Sequence, residues 1–342
     1  MQMILMRNPK PCLVAAALMA FAITATGVAR AETTKNVRFA LQWGLAWMPY
    51  VVMKREKIIE RRAKEAGLGD VTAEYREFAG GNIMNDALLA GQIEFATTGI
   101  TNFLVLWDKA RKVLPVKAAS GFATIPYALV TRNPNLKTMA DISAKDRIAL
   151  PAVKISAQAV LLQMIATKMY GKENYTKFDD LTISRSMPDG MAAMLSGSEI
   201  NSHFSSPPYL QAELRDPNVR TVIKTSDIID VPISNGLLYT TEKFHNENQK
   251  LYNVVLDSLQ EAIDIINKDK LQASKDYLDL TKEKATPEEL VAILSEAGSE
   301  FTMTPSAIYV FAEFMHKVGT IKELPPSWKD FFFPEIHNRP GK

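Results

Sequence analysis

The sequence predicts an α/β protein that folds in two lobes. Its 342 residues exceed the length at which a single hydrophobic core stops growing. Strand-like and helix-like segments alternate up to Thr241, which favours mostly parallel sheets covered by helices. Hydrophobic residues make up 47% and charged residues 23%, as in ordinary globular proteins. This composition excludes a disordered, collagenous or disulfide-scaffold chain.

Residues 1–31 have the three parts of a secretory signal peptide. Two basic residues precede an apolar stretch that ends at Ala29-Arg30-Ala31. We expect cleavage after Ala31 and export to the periplasm. An uncleaved membrane anchor is the alternative, because the stretch approaches the ~20 residues of a spanning helix. Cleavage would also remove Cys12, the single cysteine, and with it any thiolate nucleophile or cysteine-bound metal.

The first lobe is predicted from three strands that alternate with three helices. The strands are read from alternating apolar residues, and the helices from apolar residues three and four apart. Glycines follow the first two helices and mark their ends. The strands are Asn36–Leu41, Val71–Phe78 and Ile93–Thr97, and the helices are Pro49–Ala66, Ile83–Ala90 and Asn102–Lys112.

The second lobe repeats part of this pattern. Residues 86–96 and 189–201 both read as a short helix, a glycine and an apolar strand, which indicates two similar lobes. Coincidence is the alternative, since this connection is common. Ser156 is predicted to cap a helix that runs to Tyr170. Further helices are predicted at Asp189–Leu195 and from Pro207-Pro208, and strands at Tyr127–Thr131, Arg147–Leu150, Leu181–Arg185, Ile200–Phe204, Val219–Lys224 and Gly236–Tyr239.

After Thr241 the chain is predicted to be helical, and we expect these helices to cover the sheet of the first lobe. Thr286 and Thr304 are N-cap candidates, each followed by proline at the first helical position. The predicted helices are Asn246–Asn267, Leu271–Leu280, Pro287–Ala297 and Pro305–Val318.

Signatures of catalysis and of nucleic-acid binding are missing from the sequence. It has no Walker, dinucleotide-binding, zinc-protease or nucleophile-elbow motif, and its net charge is only +2 without a long basic run. The four histidines lie at no metal-like spacing, so we expect neither a metal nor a cofactor. His203 and Asp189 are the one pair that could serve an enzyme as base and partner.

Small polar residues at predicted strand ends are the candidate ligand-binding residues. In open α/β sheets, ligands bind beyond the carboxyl ends of strands, where helix N-termini favour anions. Ordinary helix capping is the alternative explanation for each of these turns. Arg76, Arg132 and Arg185 are further candidates for contact with an acidic group. The candidate binding residues are Gln42, Trp43, Gly81, Asn82, Thr98, Thr101, Ser156, Ser206, His203 and Phe204.

Four features together resemble the periplasmic solute-binding proteins of ABC importers for sulfonates, taurine and nitrate, which are related to a thiamine-pyrimidine branch. They are the leader, Leu41-Gln42-Trp43, the segment from Ala90 to Ala96, and Ser205-Ser206-Pro207-Pro208. The resemblance implies the two-lobe periplasmic-binding-protein fold. Lobe I would comprise residues 32–126 and 242–342, and lobe II residues 127–241. Hinge segments would lie at 126–133 and 231–241, with the helical C-terminal segment packed on lobe I.

The resemblance also implies a function. The chain would be a monomer that binds a small organic anion and delivers it to an ABC permease in the inner membrane, without catalysis. A neutral heterocycle such as a thiamine-precursor pyrimidine is the alternative ligand. A periplasmic lyase or hydrolase of the same fold is the third possibility.

Overall fold

The computed structural model of the protein describes residues 34–197 and 199–341, so the predicted signal peptide lies outside the described residues. The strands within these ranges are β1 (Asn36–Leu41), β2 (Thr72–Glu77), β3 (Phe95–Thr98), β4 (Val116–Thr124), β5 (Ala128–Thr131), β6 (Ile148–Leu150), β7 (Thr182–Ser184), β8 (Ser202–Ser205), β9 (Arg220–Lys224) and β10 (Ser234–Thr241).

Helices connect and cover these strands. None of the helices in the described ranges is both long and apolar enough to cross a membrane. They are α1 (Met48–Arg55), α2 (Ile58–Glu65), α3 (Gly81–Leu89), α4 (Ile100–Ala110), α5 (Ala157–Tyr170), α6 (Met187–Leu195), α7 (Tyr209–Leu214), α8 (Glu242–Glu247), α9 (Gln249–Lys268), α10 (Lys270–Thr281), α11 (Pro287–Ile293) and α12 (Ile308–Lys317).

The strands form two five-stranded sheets of equivalent topology, one in each lobe. The first sheet has the order β2-β1-β3-β10-β4, and the second has the order β7-β6-β8-β5-β9. In each sheet the first three strands are parallel and the last two are antiparallel to their neighbours. The predicted α/β fold in two similar lobes is therefore confirmed.

The repeated pattern of residues 86–96 and 189–201 lies at equivalent positions in the two sheets. In the first lobe α3 is followed by Gly91 and then β3, and in the second lobe α6 is followed by Gly197 and then β8. Both glycines have positive φ angles, 66° and 71°. Arg38 on β1 fixes the first of these turns, since its side chain donates to Glu94 and to the carbonyl of Gly91.

The C-terminal helices pack on the first sheet, as predicted. Phe39 of β1 stacks on Phe95 of β3 with ring centroids 5.4 Å apart. Phe95 in turn meets Phe244 of α8 edge-on, at 5.1 Å. Leu251 and Leu259 of α9 are fully buried in the same core. An apolar core thus ties the end of the chain to its first strands.

Three local predictions differ from the structure. The helix predicted at Pro49–Ala66 is divided into α1 and α2, because Lys57 adopts a left-handed φ of 48°. Strand β4 was not predicted. The predicted helix start at Pro305 is wrong: α12 begins at Ile308, after Ala307 with a φ of 64°, and Thr304 caps no helix.

Candidate functional site

A cavity lies between the two sheets, at the carboxyl ends of their parallel strands. Residues that follow β1, β2 and β3 line it from the first lobe, and residues that follow β6, β7 and β8 line it from the second. Because parallel strands of one sheet end at a common edge, these turns converge although they are distant in sequence. The geometry is that of a ligand site enclosed by two lobes.

The first-lobe wall is built from the turn after β1. Gln42 and Trp43 line the cavity, and the hydroxyl of Thr98 donates to Gln42 Oε1 at 3.3 Å. Trp47 also lines the cavity, and its indole N–H donates to Thr97 Oγ1 at 2.8 Å. That bond fixes the indole plane, so Trp47 forms a rigid wall, and the half-buried Trp43 lies beside it.

Gly44 allows the two lobes to approach each other beside this wall. Its φ is 124°, in the region that favours glycine. A Cβ at this position would lie 3.3 Å from the carbonyl oxygen of Pro207, in the second lobe. The backbone N–H of the next residue, Leu45, donates to the same carbonyl at 2.9 Å. A backbone hydrogen bond therefore joins the two lobes directly at the rim of the cavity.

The second-lobe wall is the start of α5 together with the turn after β8. Ser156 is the N-cap of α5, and its hydroxyl accepts from the amide of Ala159 at 3.3 Å, as predicted. Ala157 and Gln158 of the first turn line the cavity, and Ser206 lines it from the other side. Amides of a first helical turn lack partners within the helix, so they are available to a bound acceptor.

Two chain crossings between the lobes meet at the base of the cavity. The amide side chain of Asn235 accepts from the N–H of Ile125 at 2.5 Å and donates to the carbonyl of Ile125 at 2.9 Å. Tyr127 donates from its hydroxyl to the carbonyl of Asn235 at 3.4 Å. Burial raises the pKa of the Tyr127 phenol well above its usual range, so this cavity-lining group is neutral at physiological pH.

The N-termini of four helices face the cavity, and no described lining residue carries a charge at neutral pH. Lining residues lie at or just before the starts of α3, α4, α5 and α6, which have between 9 and 14 residues. None of the described residues that line the cavity is Asp, Glu, Lys, Arg or His. Helix N-termini carry partial positive charge and free N–H groups. The electrostatic character of the site is therefore positive and comes from backbone dipoles.

Asn102 lines the same cavity and has a buried oxygen without a hydrogen-bond partner. It lies in the first turn of α4, lines the cavity and is only 3% exposed. Its Oδ1 atom is buried and has no hydrogen-bond partner. A buried acceptor without a partner costs about 1–3 kcal/mol, so such atoms in native proteins commonly meet a ligand or water. Asn102 is therefore a polar lining residue whose oxygen has no partner among the described residues.

The cavity is small. The space open to the centres of water molecules is about 40 Å³. By the same definition a single water needs about 10–15 Å³. The enclosed space accommodates a small molecule, or the head group of a larger one.

Comparison with solved structures identifies the fold. The alkanesulfonate-binding protein SsuA of Xanthomonas axonopodis pv. citri, bound to MOPS, aligns with a TM-score of 0.68 and 16% identity, over 85% of this chain and 96% of that one. The periplasmic aliphatic sulphonate-binding protein SsuA of Escherichia coli gives 0.64 and 15%, over 89% and 99%. The chain has the periplasmic-binding-protein fold.

More distant structures share this periplasmic-binding-protein fold. The nitrate-binding protein NrtA of Synechocystis PCC 6803 aligns with a TM-score of 0.58 and 13% identity, over 75% of this chain and 69% of that one. No family model matches the chain, and no curated protein matches it in sequence. The likeness is therefore one of fold, at identities too low to carry a ligand across.

Within this fold, four of the predicted binding residues lie together in the cavity: Gln42, Trp43, Ser156 and Ser206. Two more support them from behind. Thr98 holds Gln42, and Gly81 lies against Asn102, since a Cβ at Gly81 would be only 2.7 Å from Asn102 Cγ.

The remaining four lie outside the cavity. Asn82 is exposed at the start of α3, and Thr101 donates its hydroxyl to the carbonyl of Ile155 at 2.6 Å, a second bond between the lobes. His203 and Phe204 are both fully buried within β8. Residues inside β8 point to the faces of its sheet, whereas Ser206, beyond its carboxyl end, reaches the edge where the cavity lies.

His203 has a buried partner of its own. Its Nδ1 lies 2.5 Å from Oε1 of Glu213 on α7, and both side chains are 0% exposed. Asp189, which the sequence offered as its partner, instead accepts from the hydroxyl of Ser186 at 2.6 Å. The pair proposed for catalysis is therefore not assembled.

The predicted arginines are also engaged elsewhere. Arg76 donates to Glu74, Arg132 to the carbonyl of Leu195, and Arg185 to the carbonyl of Ser184. Within the described ranges no cluster of three or more His, Asp or Glu side chains could hold a metal ion.

Sequence reasoning missed Asn102 and Asn235. Both are buried amides in apolar segments, one in the helix α4 and one in the strand β10. Their sequence context could have identified them, because each is a polar residue within an apolar run. A buried polar group of this kind needs a specific hydrogen-bond partner.

Proposed function

We propose that the protein is the substrate-binding component of an ABC importer, acting in the periplasm on a small organic anion of the sulfonate, taurine-like or carboxylate kind. The convergence of four helix N-termini on an uncharged cavity carries this proposal. Backbone N–H groups would bind the anionic oxygens, and Trp43 and Trp47 would cover the carbon skeleton. The similar structures include sulfonate-binding and nitrate-binding proteins, which supports the anion class.

The proposed mechanism is closure of the two lobes on the ligand by a hinge. The predicted bounds need one correction, because β10 belongs to the first sheet and β5 lies inside the second. Residues 32–124 with 234–342 would move against residues 128–224, and the connections 125–127 and 225–233 would bend. The double hydrogen bond between Asn235 and Ile125 supports this, because it couples the two crossings into one unit. Closure would exclude water and strengthen the hydrogen bonds to the anion.

Delivery requires a partner in the inner membrane. The liganded form would dock as a monomer on an ABC permease and release the ligand there. Export through a signal peptide cleaved after Ala31 fits this location.

A neutral heterocycle is the second candidate ligand, favoured by the aromatic groups of the lining. Trp43, Trp47 and Tyr127 offer ring faces, and no charged side chain in the lining attracts an anion. A hydrolase of this fold has less support, since His203 is buried against Glu213 away from the cavity.

The test is a thermal-shift titration of the purified protein with taurine, alkanesulfonates, nitrate, carboxylates and pyrimidines. A ligand at a hundredfold its Kd adds about 2.7 kcal/mol to stability, a shift of several degrees. We expect one class of small anion to stabilise the protein. Stabilisation by pyrimidines alone would support the second candidate and overturn the anion proposal.

Two controls identify the site. Trp43→Ala should weaken binding without loss of fold, whereas Trp328→Ala, a half-buried tryptophan outside the cavity, should leave affinity unchanged. Because dipoles rather than side-chain charges bind the anion, affinity should change little between ~0.01 M and ~1 M salt, where the Debye length falls from about 30 Å to 3 Å. A steep salt dependence would point to a cationic side chain and against this cavity.

A further inference from the structure

A buried pair, His203 and Glu213, joins the two ends of a segment that forms part of the cavity wall. His203 lies on β8 and Glu213 on α7, both side chains are 0% exposed, and Nδ1 lies 2.5 Å from Oε1. Between them, Ser206 lines the cavity, and the carbonyl of Pro207 accepts from the backbone N–H of Leu45 in the first lobe. The pair therefore closes a short loop of chain that reaches from the core of the second lobe to the cavity.

The two side chains depend on each other for hydrogen bonding. In the part of the chain that the structure describes, His203 Nε2 and Glu213 Oε2 are buried without partners, so the contact between Nδ1 and Oε1 is the one side-chain hydrogen bond that either residue makes. The imidazole ring also packs against Gly190 of α6, where a Cβ would lie only 2.6 Å from Nε2. Loss of either partner would leave the other buried and unpaired, which destabilises their packing.

Helix α7 depends on this pair because it is too short to be stable by itself. It has six residues, fewer than an isolated helix needs in water. Its buried side chains, Tyr209, Leu210 and Glu213, hold it against the rest of the protein, and Glu213 is the one whose hydrogen bond reaches back to β8. Ser206 and Pro207 lie directly between β8 and α7, so a displacement of α7 would move them.

We propose that His203 and Glu213 are positioning residues for ligand binding, which hold Ser206 and the Pro207 carbonyl in place at the cavity. Neither His203 nor Glu213 lines the cavity, so both act through the turn between them. This inference rests on the proposed function, since it takes this cavity as the binding site. A displaced turn would lose the bond to Leu45 and withdraw Ser206, and ligand affinity would fall although the fold is kept.

Hydrogen exchange at the Leu45 amide tests the positioning role without any ligand. In Glu213→Leu the imidazole loses its partner, so we expect the Leu45 amide to exchange about tenfold faster relative to the core amides of the first sheet, a ratio that corresponds to about 1.4 kcal/mol. Calorimetric titration with taurine and ethanesulfonate should show a loss of affinity of the same order. In Glu213→Gln the side-chain amide can still bond to Nδ1 of His203, so both quantities should return most of the way to their wild-type values.

Gly190→Ala acts on the pair from the side of α6. Alanine favours a helix interior more than glycine does, so an effect on α6 alone would stabilise the helix and leave the Leu45 amide unchanged. Because the new Cβ would displace the imidazole of His203, we expect faster exchange at Leu45 instead. This variant also decides the question if Glu213→Leu does not fold.

Asp146→Leu is the matched control. Asp146 is also 0% exposed and accepts hydrogen bonds from Asn133 and Asn201. It precedes β6, at the edge of the second sheet opposite the cavity. Its loss should lower the stability of the second lobe without a selective effect on the exchange of the Leu45 amide.

The outcomes separate this inference from the proposed function. Wild-type exchange at Leu45 in Glu213→Leu or in Gly190→Ala, or an equal acceleration of all core amides, would overturn the positioning role while the anion proposal stands. Faster exchange at Leu45 with unchanged sulfonate affinity would overturn it as well, since the turn would then not affect binding. Absence of binding by every sulfonate and carboxylate would overturn the anion proposal, and the exchange of Leu45 would still decide whether the pair holds the turn.

Discussion

At the residue scale, the contact between Gly81 and Asn102 gives a sharp prediction. A Cβ on residue 81 would lie 2.1 Å from Thr98 Oγ1 and 2.7 Å from Asn102 Cγ. Both neighbours are buried, so the start of α3 must shift to make room. We predict that Gly81→Ala lowers the free energy of unfolding by about 1–3 kcal/mol. It should also weaken ligand binding, because Thr98 holds Gln42 and Asn102 lines the cavity.

Gly99→Ala is the matched control. Its Cβ would lie 3.7 Å from the carbonyl oxygen of Asn235 and 3.9 Å from Ala157 Cβ, which is ordinary van der Waals contact. Stability should change by less than about 1 kcal/mol. Binding should still weaken, because Gly99 lines the cavity and a methyl group would occupy part of it. Urea denaturation and calorimetry measure both quantities, and wild-type stability in Gly81→Ala would contradict the prediction.

The sequence predicts correctly those cavity residues whose position follows from the end of a strand or the start of a helix. Gln42, Trp43 and Ser206 follow strand ends, and Ser156 precedes a helix, so general rules for α/β sheets and helix caps locate them. His203 lies just inside the end of β8 rather than beyond it, and a strand boundary read from sequence is not accurate enough to separate these cases. The position of Asn102 at the cavity depends on its packing against α3. The local sequence does not predict that packing.

At the scale of elements, the two threonine–proline sequences of the C-terminal helices give a second prediction. Thr286 accepts from the amide of Glu289 at 3.1 Å, and Glu289 accepts from the amide of Thr286 at 2.7 Å, a reciprocal capping box. Thr304 begins no helix. We therefore expect Thr286→Ala to cost about 1 kcal/mol of stability and Thr304→Ala much less.

The contribution of the Glu289 side chain to this capping box should depend on pH. The hydrogen bond from the Thr286 amide, and then the Arg215 side chain, lower the pKa of Glu289. A carboxyl group with a lowered pKa contributes stability above its unfolded pKa of about 4.3 and loses it as the pH falls through the folded value. The cost of Glu289→Gln, which removes the charge and keeps the shape, should therefore shrink below about pH 4. An equal loss at pH 3 and pH 7 in urea denaturation would contradict the ionised capping box.

Most helices and strands follow from periodicity, and the exceptions have physical reasons. Eight of the nine residues of β4 are buried, so it lacks the alternation that reveals a half-exposed strand. The break between α1 and α2 depends on the left-handed conformation of Lys57, which lysine rarely adopts and which no periodic pattern predicts. By contrast the predicted helix Asn246–Asn267 covers nearly all of α9, which has one apolar and one polar face, although it begins within α8.

At the scale of the whole molecule, the equivalence of the two sheets was predictable but the contacts between lobes were not. The echo of residues 86–96 in 189–201 expresses local structure, which the sequence encodes directly. Contacts between lobes join residues that are distant along the chain and carry no local pattern. The bond between Leu45 and Pro207 and the bond between Thr101 and Ile155 are examples.

The outer contacts of α7 give the last prediction, which concerns closure of the two lobes. Tyr209 donates its hydroxyl to Glu283, which follows α10. Arg215, just after α7, binds Glu289 of α11 with an N–O distance of 2.5 Å. Both bonds join the second lobe to the helices that pack on the first. Separation of the lobes would break both bonds, so they stabilise the arrangement of the lobes in this structure.

Tyr209→Phe combined with Arg215→Gln should therefore shift the lobes towards opening. One hydrogen bond and one surface ion pair contribute together about 1–2 kcal/mol, so we expect ligand affinity to fall by about five- to thirtyfold, mainly through faster dissociation. X-ray scattering should give a larger radius of gyration for the unliganded variant. Arg61→Gln, which removes an ion pair between α2 and Glu261 within one lobe, should change neither quantity. Unchanged affinity and radius in the double variant would mean that the cavity contacts alone determine closure.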